Sequence, residues 1–120
     1  MELNEYQKQA MTTCTESSNN FSYMILNLAG EVGELASKVA KMIRKEEVTI
    51  TQNDLCGDGT FAELCTQEDE MQKEAGDILW QLAGLCSVMG WQLEDVARSN
   101  LEKLASRKER GVIVGDGDNR

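Results

Sequence analysis

The chain has 120 residues, a formal net charge of −9, and neither histidine nor proline. That length supports one core and no second one, and the acidic balance, with Lys/Arg runs only at 41–45 and 103–110, argues against a protein that wraps nucleic acid. Without histidine there is no Ser-His-Asp triad, no His-containing zinc site and no Glu-x-x-His di-iron bundle. Apolar residues recur at spacings of three and four along most of the chain, which predicts an all-α fold. Helix one is expected from Asn4 to Thr15, with Leu3, Tyr6, Ala10 and Met11 facing inward, and the polar stretch Glu16 to Asn20 is the first turn. Helix two is expected from Phe21 to Arg44, on a stripe of Phe21, Met24/Ile25, Leu28, Val32, Leu35/Ala36, Val39 and Ile43. At 100° per residue Asn27, Glu31, Glu34 and Lys38 line one flank of that stripe.

Residues 46–67 lose the helical period and carry Gly57, Asp58 and Gly59, a turn signal. This is the one long loop expected, with Val48 to Thr51 β-branched enough for a short strand or hairpin arm. Helix three is expected from Glu68 to Met89, with Met71, Ala75, Ile78, Leu82, Leu85 and Met89 inward and Glu70, Glu74, Asp77 and Gln81 along one edge. Gly90 ends it. Helix four is expected from Leu93 to Glu109, with Leu93, Ala97, Leu101, Leu104 and Ala105 inward and Asn100, Lys103 and Arg107 bordering them; Gly111 caps it. The expected organisation is a helical catalytic domain over 1–110, with a loop insertion near 46–67, and a flexible tail over 111–120. No apolar run approaches the roughly 18 residues of a membrane span, and the N-terminal MELNEYQKQAM is polar, so a cytoplasmic protein without a membrane partner is expected. Cys14, Cys56, Cys65 and Cys86 are irregularly spaced with no Cys-x-x-Cys pair, and read as structural thiols.

Four acids carry the chemistry: Glu31 and Glu34 in AGEVGEL, and Glu74 and Asp77 in KEAGDIL. Each pair has i, i+3 spacing beside an apolar stripe, so each shares one helix face. Two carboxylates about 4 Å apart near a protein surface repel by roughly 4 kcal/mol, so such a cluster calls for a cation. An all-oxygen donor set favours Mg²⁺, with Mn²⁺ as the alternative. The neighbouring Gly30, Gly33 and Gly76 each cost a helix about 1 kcal/mol against alanine, a penalty that close approach would justify. The competing account of these glycines is helix packing through Ala29, Gly33, Ser37 and Ala40, and the competing account of the acids is a solvated helix face.

Glu-x-x-Glu on one helix, Glu-x-x-Asp on the next, the segments AGEVGELA and EAGDILWQLA, and a closing NLEKLASR helix together resemble the MazG-like family of all-α nucleoside triphosphate pyrophosphohydrolases. The resemblance runs from Leu3 to Arg110. It implies a four-helix bundle-like architecture and an Mg²⁺-dependent cut between the α and β phosphates, giving a nucleoside monophosphate and pyrophosphate. It also implies that Glu31, Glu34, Glu74 and Asp77 hold the metal, that Asn100 and Lys103 contact the nucleotide or its phosphates, and that the chain forms homodimers or homotetramers. The separation of Glu34 from Glu74 exceeds the family's usual interval, which locates an insertion in the 46–67 loop.

Several roles are open on the residues alone. Glu31 and Glu34 compete as the carboxylate that takes a proton from the attacking water. Lys38, one turn past Glu34, meets either a phosphate oxygen or Glu34 itself. Arg107 suits either a phosphate or the helix C-terminus. Trp80 lies off the inward stripe and suggests an interface between copies, whereas Trp91 is expected in the core. Tyr6, Phe21 and Phe61 are candidates for contact with the base. The expected function is removal or balancing of (d)NTPs in the nucleotide pool. The alternatives are a non-catalytic helical interaction protein and a pyrophosphohydrolase of phosphoribosyl intermediates.

Overall fold

A computed structural model describes residues 1–52 and 67–120 in full and the backbone of 55–57 and 61–66. Asp58, Gly59 and the side chains of Cys56, Phe61 and Cys65 lie outside the described residues. The fold is all-α. Its helices are α1 (Leu3–Met11), α2 (Phe21–Arg44), α3 (Phe61–Met89) and α4 (Leu93–Glu109). Between α2 and α3, β1 (Val48–Ile50) pairs antiparallel with β2 (Leu55–Gly57), Val48 opposite Gly57 and Ile50 opposite Leu55.

The boundaries of α2 and α4 are those expected from periodicity. By contrast, α1 stops at Met11, and a 3-10 turn at Glu16–Ser18 follows. Thr12 and Thr13 turn their hydroxyls back onto the carbonyls of Gln9 and Ala10 at 2.6 and 2.8 Å, a local bond that competes with helix continuation. Helix α3 starts at Phe61, seven residues before the expected Glu68. Ala62, Glu63 and Leu64 are strong helix formers, and propensity here outweighs the broken apolar period.

Asn20 caps α2 by accepting from the Tyr23 amide at 2.8 Å. Gly90 at φ 72° and Gly111 at φ 69° close α3 and α4, each followed by an amide reaching back five residues, Trp91 to the Cys86 carbonyl at 2.8 Å and Val112 to that of Arg107 at 2.9 Å. The start of α4 is capped from another helix. Gln7 Oε1 accepts from the Leu93 amide at 2.7 Å and Asn4 Oδ1 from the Glu94 amide at 3.1 Å, while Gln7 Nε2 donates to Ser87 Oγ and the Trp91 carbonyl.

Helices α2 and α3 form the main pair, α1 lies against α3, and α4 is held chiefly by α1. The core gathers Met24, Ala83, Cys86 and Leu93, with Tyr6 and Met11 packed against it. Trp80 is an intramolecular anchor rather than an exposed aromatic: its indole N–H donates to the Ala10 carbonyl at 3.0 Å and Thr13 Oγ1 at 2.9 Å. Trp91, expected in the core, is 48% exposed, because α4 turns away from α3 immediately after it. Cys14 and Cys86 are free thiols, and burial pushes the Cys86 thiol up from its ordinary pKa. Among the described residues no helix is long and apolar enough to cross a membrane.

Candidate metal centre

The α2–α3 pairing brings Glu31 from the middle of α2 against Glu74 and Asp77 of α3. One carboxylate oxygen from each of the three lies within 4.8 Å of the others. Glu74 is 9% exposed and Glu31 half-buried, whereas Asp77 stands at the exposed edge. Lys38, one helical turn past Glu34, forms an ion pair with Glu74 Oε1 at 3.1 Å, and this hydrogen bond holds the ammonium above its ordinary pKa. Asn27 Nδ2 donates to Glu31 Oε1 at 3.2 Å.

The remaining oxygens, Glu31 Oε2 and Glu74 Oε2, are buried and have no hydrogen-bond partner. Burying an acceptor without a partner is costly, and a hard cation shared among the three carboxylates would satisfy both oxygens at once. The donor set is all oxygen and mostly anionic, which fits such an ion. Burial pushes the Glu31 carboxyl up from its ordinary pKa, the negative charge of Glu34 adds to that, and the Asn27 hydrogen bond works in the opposite direction.

Glu34 is exposed and outside the trio, within electrostatic reach of Glu31. Tyr6 packs against the core with its hydroxyl raised in pKa by burial and then by the charge of Asp77. Phe21 is 53% exposed.

The cations of α4 lie elsewhere. Residues 111–120 turn back so that Asp118 Oδ1 meets Arg107 Nη2 at 3.0 Å and Lys103 Nζ at 3.2 Å. Arg107 is 5% exposed and also donates to the Gly117 carbonyl. Lys103 and Asn100, together with Trp91 and Asp95, line an open groove of about 760 Å³ at the α3–α4 elbow. No described hydrogen bond or ion pair joins these α4 residues to the carboxylate trio.

The profile of the MazG nucleotide pyrophosphohydrolase domain matches residues 19–112, a span holding all four acids and the whole of α4, and the chain belongs to this family. It is also similar to the Gene 37 protein of Mycobacterium phage L5, with 40% identity over 105 residues, covering 88% of this chain and 81% of that protein. No solved structure matches the chain.

Two site residues were legible only as edge positions. Asn27 lies four before Glu31 and Gln81 four after Asp77, so the helical period places each beside an acid, but nothing in the sequence pairs them. Asp118, in a Gly- and Asp-rich tail, carries no signal that links it to Lys103 and Arg107.

Proposed function

We propose that the chain is a divalent-metal-dependent hydrolase that cuts nucleoside triphosphates, deoxynucleotides foremost, into the monophosphate and pyrophosphate, and that it serves the nucleotide pool. The observation that carries this reading is the pair of buried, unpartnered oxygens of Glu31 and Glu74 beside Asp77, in a chain of a nucleotide pyrophosphohydrolase family. Glu31, Glu74 and Asp77, together with Glu34, would hold the ion, with Mg²⁺ favoured over Mn²⁺. Bound there, a divalent ion supplies charge neutralisation and Lewis-acid polarisation of a phosphate oxygen.

The protein's own groups do the rest. One carboxylate, Glu34 or Glu31, takes the proton of the attacking water: Glu34 has the open side toward solvent, and Glu31 the raised proton affinity. Lys38 already neutralises one oxygen of Glu74 and moves to a phosphate oxygen when the triphosphate arrives. Asn100, Lys103 and Arg107 contact nucleotide or phosphate from α4. With no described hydrogen bond or ion pair joining those residues to the trio within one chain, α4 of a second copy brings them to it in a homodimer or homotetramer.

Pyrophosphate release is the test, measured across a dNTP panel with Mg²⁺ and with a chelator. Glu74→Gln keeps the shape of the side chain and removes its charge. It is expected to abolish turnover while the helical circular dichroism persists. Full activity in that variant would sink the site, and silence of the folded, unsubstituted chain across the panel would favour the non-catalytic interaction protein.

A further inference from the structure

Gln81 of α3 is 1% exposed, one of the two largest fully buried side chains described. Its Nε2 donates to the Met24 carbonyl at 3.3 Å and lies 3.2 Å from Met24 Sδ. Its Oε1 accepts from Asn27 Nδ2 at 2.9 Å, and the same nitrogen donates to Glu31 Oε1 at 3.2 Å and faces the Tyr23 hydroxyl at 3.3 Å.

The polarity of this chain of bonds is forced. An ionised carboxylate and a backbone carbonyl only accept, so Asn27 must turn its nitrogen to Glu31 and Gln81 must turn its nitrogen to Met24. That leaves the Gln81 oxygen for Asn27. Two glycines leave room for the row. A Cβ on Gly84 would fall 2.4 Å from Met24 Sδ, and one on Gly30 would fall 3.3 Å from Asn27 Oδ1. The row therefore runs from the core, at Gly84 and Met24, to a single oxygen of Glu31. The other oxygen, Oε2, has no partner.

We infer that Gln81 and Asn27 are positioning residues: they hold Glu31 by Oε1 so that Oε2 stays free for the cation shared with Glu74 and Asp77. This rests on the reading of the trio as a cation site. Partners of ligating carboxylates orient the ligand, and their loss typically weakens metal binding by about 10–100-fold. Gln81→Met keeps the volume and removes the acceptor for Asn27; Asn27→Ala removes the link to Glu31 from the wetter side.

The experiment measures Mn²⁺ binding to the full chain without nucleotide, by calorimetry or by loss of the free-ion paramagnetic signal. Each substitution is made alone and in a Glu31→Gln background. Binding about tenfold weaker in the first setting and less than twofold weaker in the second is expected, because residues that act through Glu31 have nothing left to act through. An equal loss in both backgrounds would mean a packing role and overturn the inference, as would unchanged affinity in both single variants. Should Gln81→Met fail to fold, Asn27→Ala decides alone. If the unsubstituted chain binds no Mn²⁺, the cation reading falls and this inference with it; if it binds and the variants bind equally, the positioning role alone falls.

Discussion

Asp118 is the exposed end of a contact whose other end is buried. Arg107 is 5% exposed, yet its charge is met by a carboxylate from the last residues of the chain. The Arg107 guanidinium, followed by Lys103, holds the Asp118 carboxyl below the ordinary aspartate range. The folded state thus binds this proton less tightly than the unfolded chain, so the contact contributes fully above the unfolded value and is lost as pH falls through the depressed folded one. An NMR titration of the Asp118 carboxyl carbon should give a midpoint below that of a free aspartate. Arg107→Gln should bring it back toward the ordinary range. Screening by solvent keeps the effect on overall stability small. The sequence showed that 103–110 is cationic and that the tail is acidic; the pairing of the two needed the backbone turn at 111–117.

Among the elements, the α2–α3 contact decides most. Two acids at i, i+3 on each helix were readable from spacing alone, and the two helices do bring Glu31, Glu74 and Asp77 together. The glycines had a different outcome from the one expected. Close approach does not account for Gly33 and Gly76, where a Cβ would meet nothing within 4 Å among the described residues, and Ala29, Gly33, Ser37 and Ala40 are all exposed. The close approach is at Gly84, against Met24, which is 0% exposed and holds Gln81. Gly84→Ala should therefore destabilise by about 1–3 kcal/mol through overpacking. Gly76→Ala, with open space around it, should be neutral or stabilising by up to about 1 kcal/mol. Urea unfolding of both variants checks the contrast.

The molecule measures 45 × 44 × 27 Å with a radius of gyration of 17.7 Å. A closed domain of this length has about 14 Å. Within this open shape α4 is fastened chiefly to α1, by the Asn4 and Gln7 caps. Leu101 is consequently 66% exposed and Leu104 40%, while Leu26, Val32 and Phe21 on α2 are 73%, 50% and 53% exposed. So much apolar surface on separate helices is characteristic of an interface. Light scattering on the protein at micromolar concentration should give at least twice the 13.3 kDa of one chain. Leu26→Glu with Leu101→Glu should shift that mass toward the monomer, and a monomeric unsubstituted protein would count against the assembly.

By itself, the sequence determined the helical class, the bounds of α2 and α4, and the four acids. All three follow from local rules: apolar period, the glycine stop at a helix end and i, i+3 spacing act within one helix and need no partner. Tertiary structure decided which acids meet, and it set Glu34 apart from Glu31, Glu74 and Asp77 at an exposed position. It also turned Gln81 inward to Asn27, tied α4 to α1 through Asn4 and Gln7, and placed Trp80 against Ala10 and Thr13. The contacts among these join residues distant in the chain, and their partners are set by how two helices rotate and cross, which no single helix encodes.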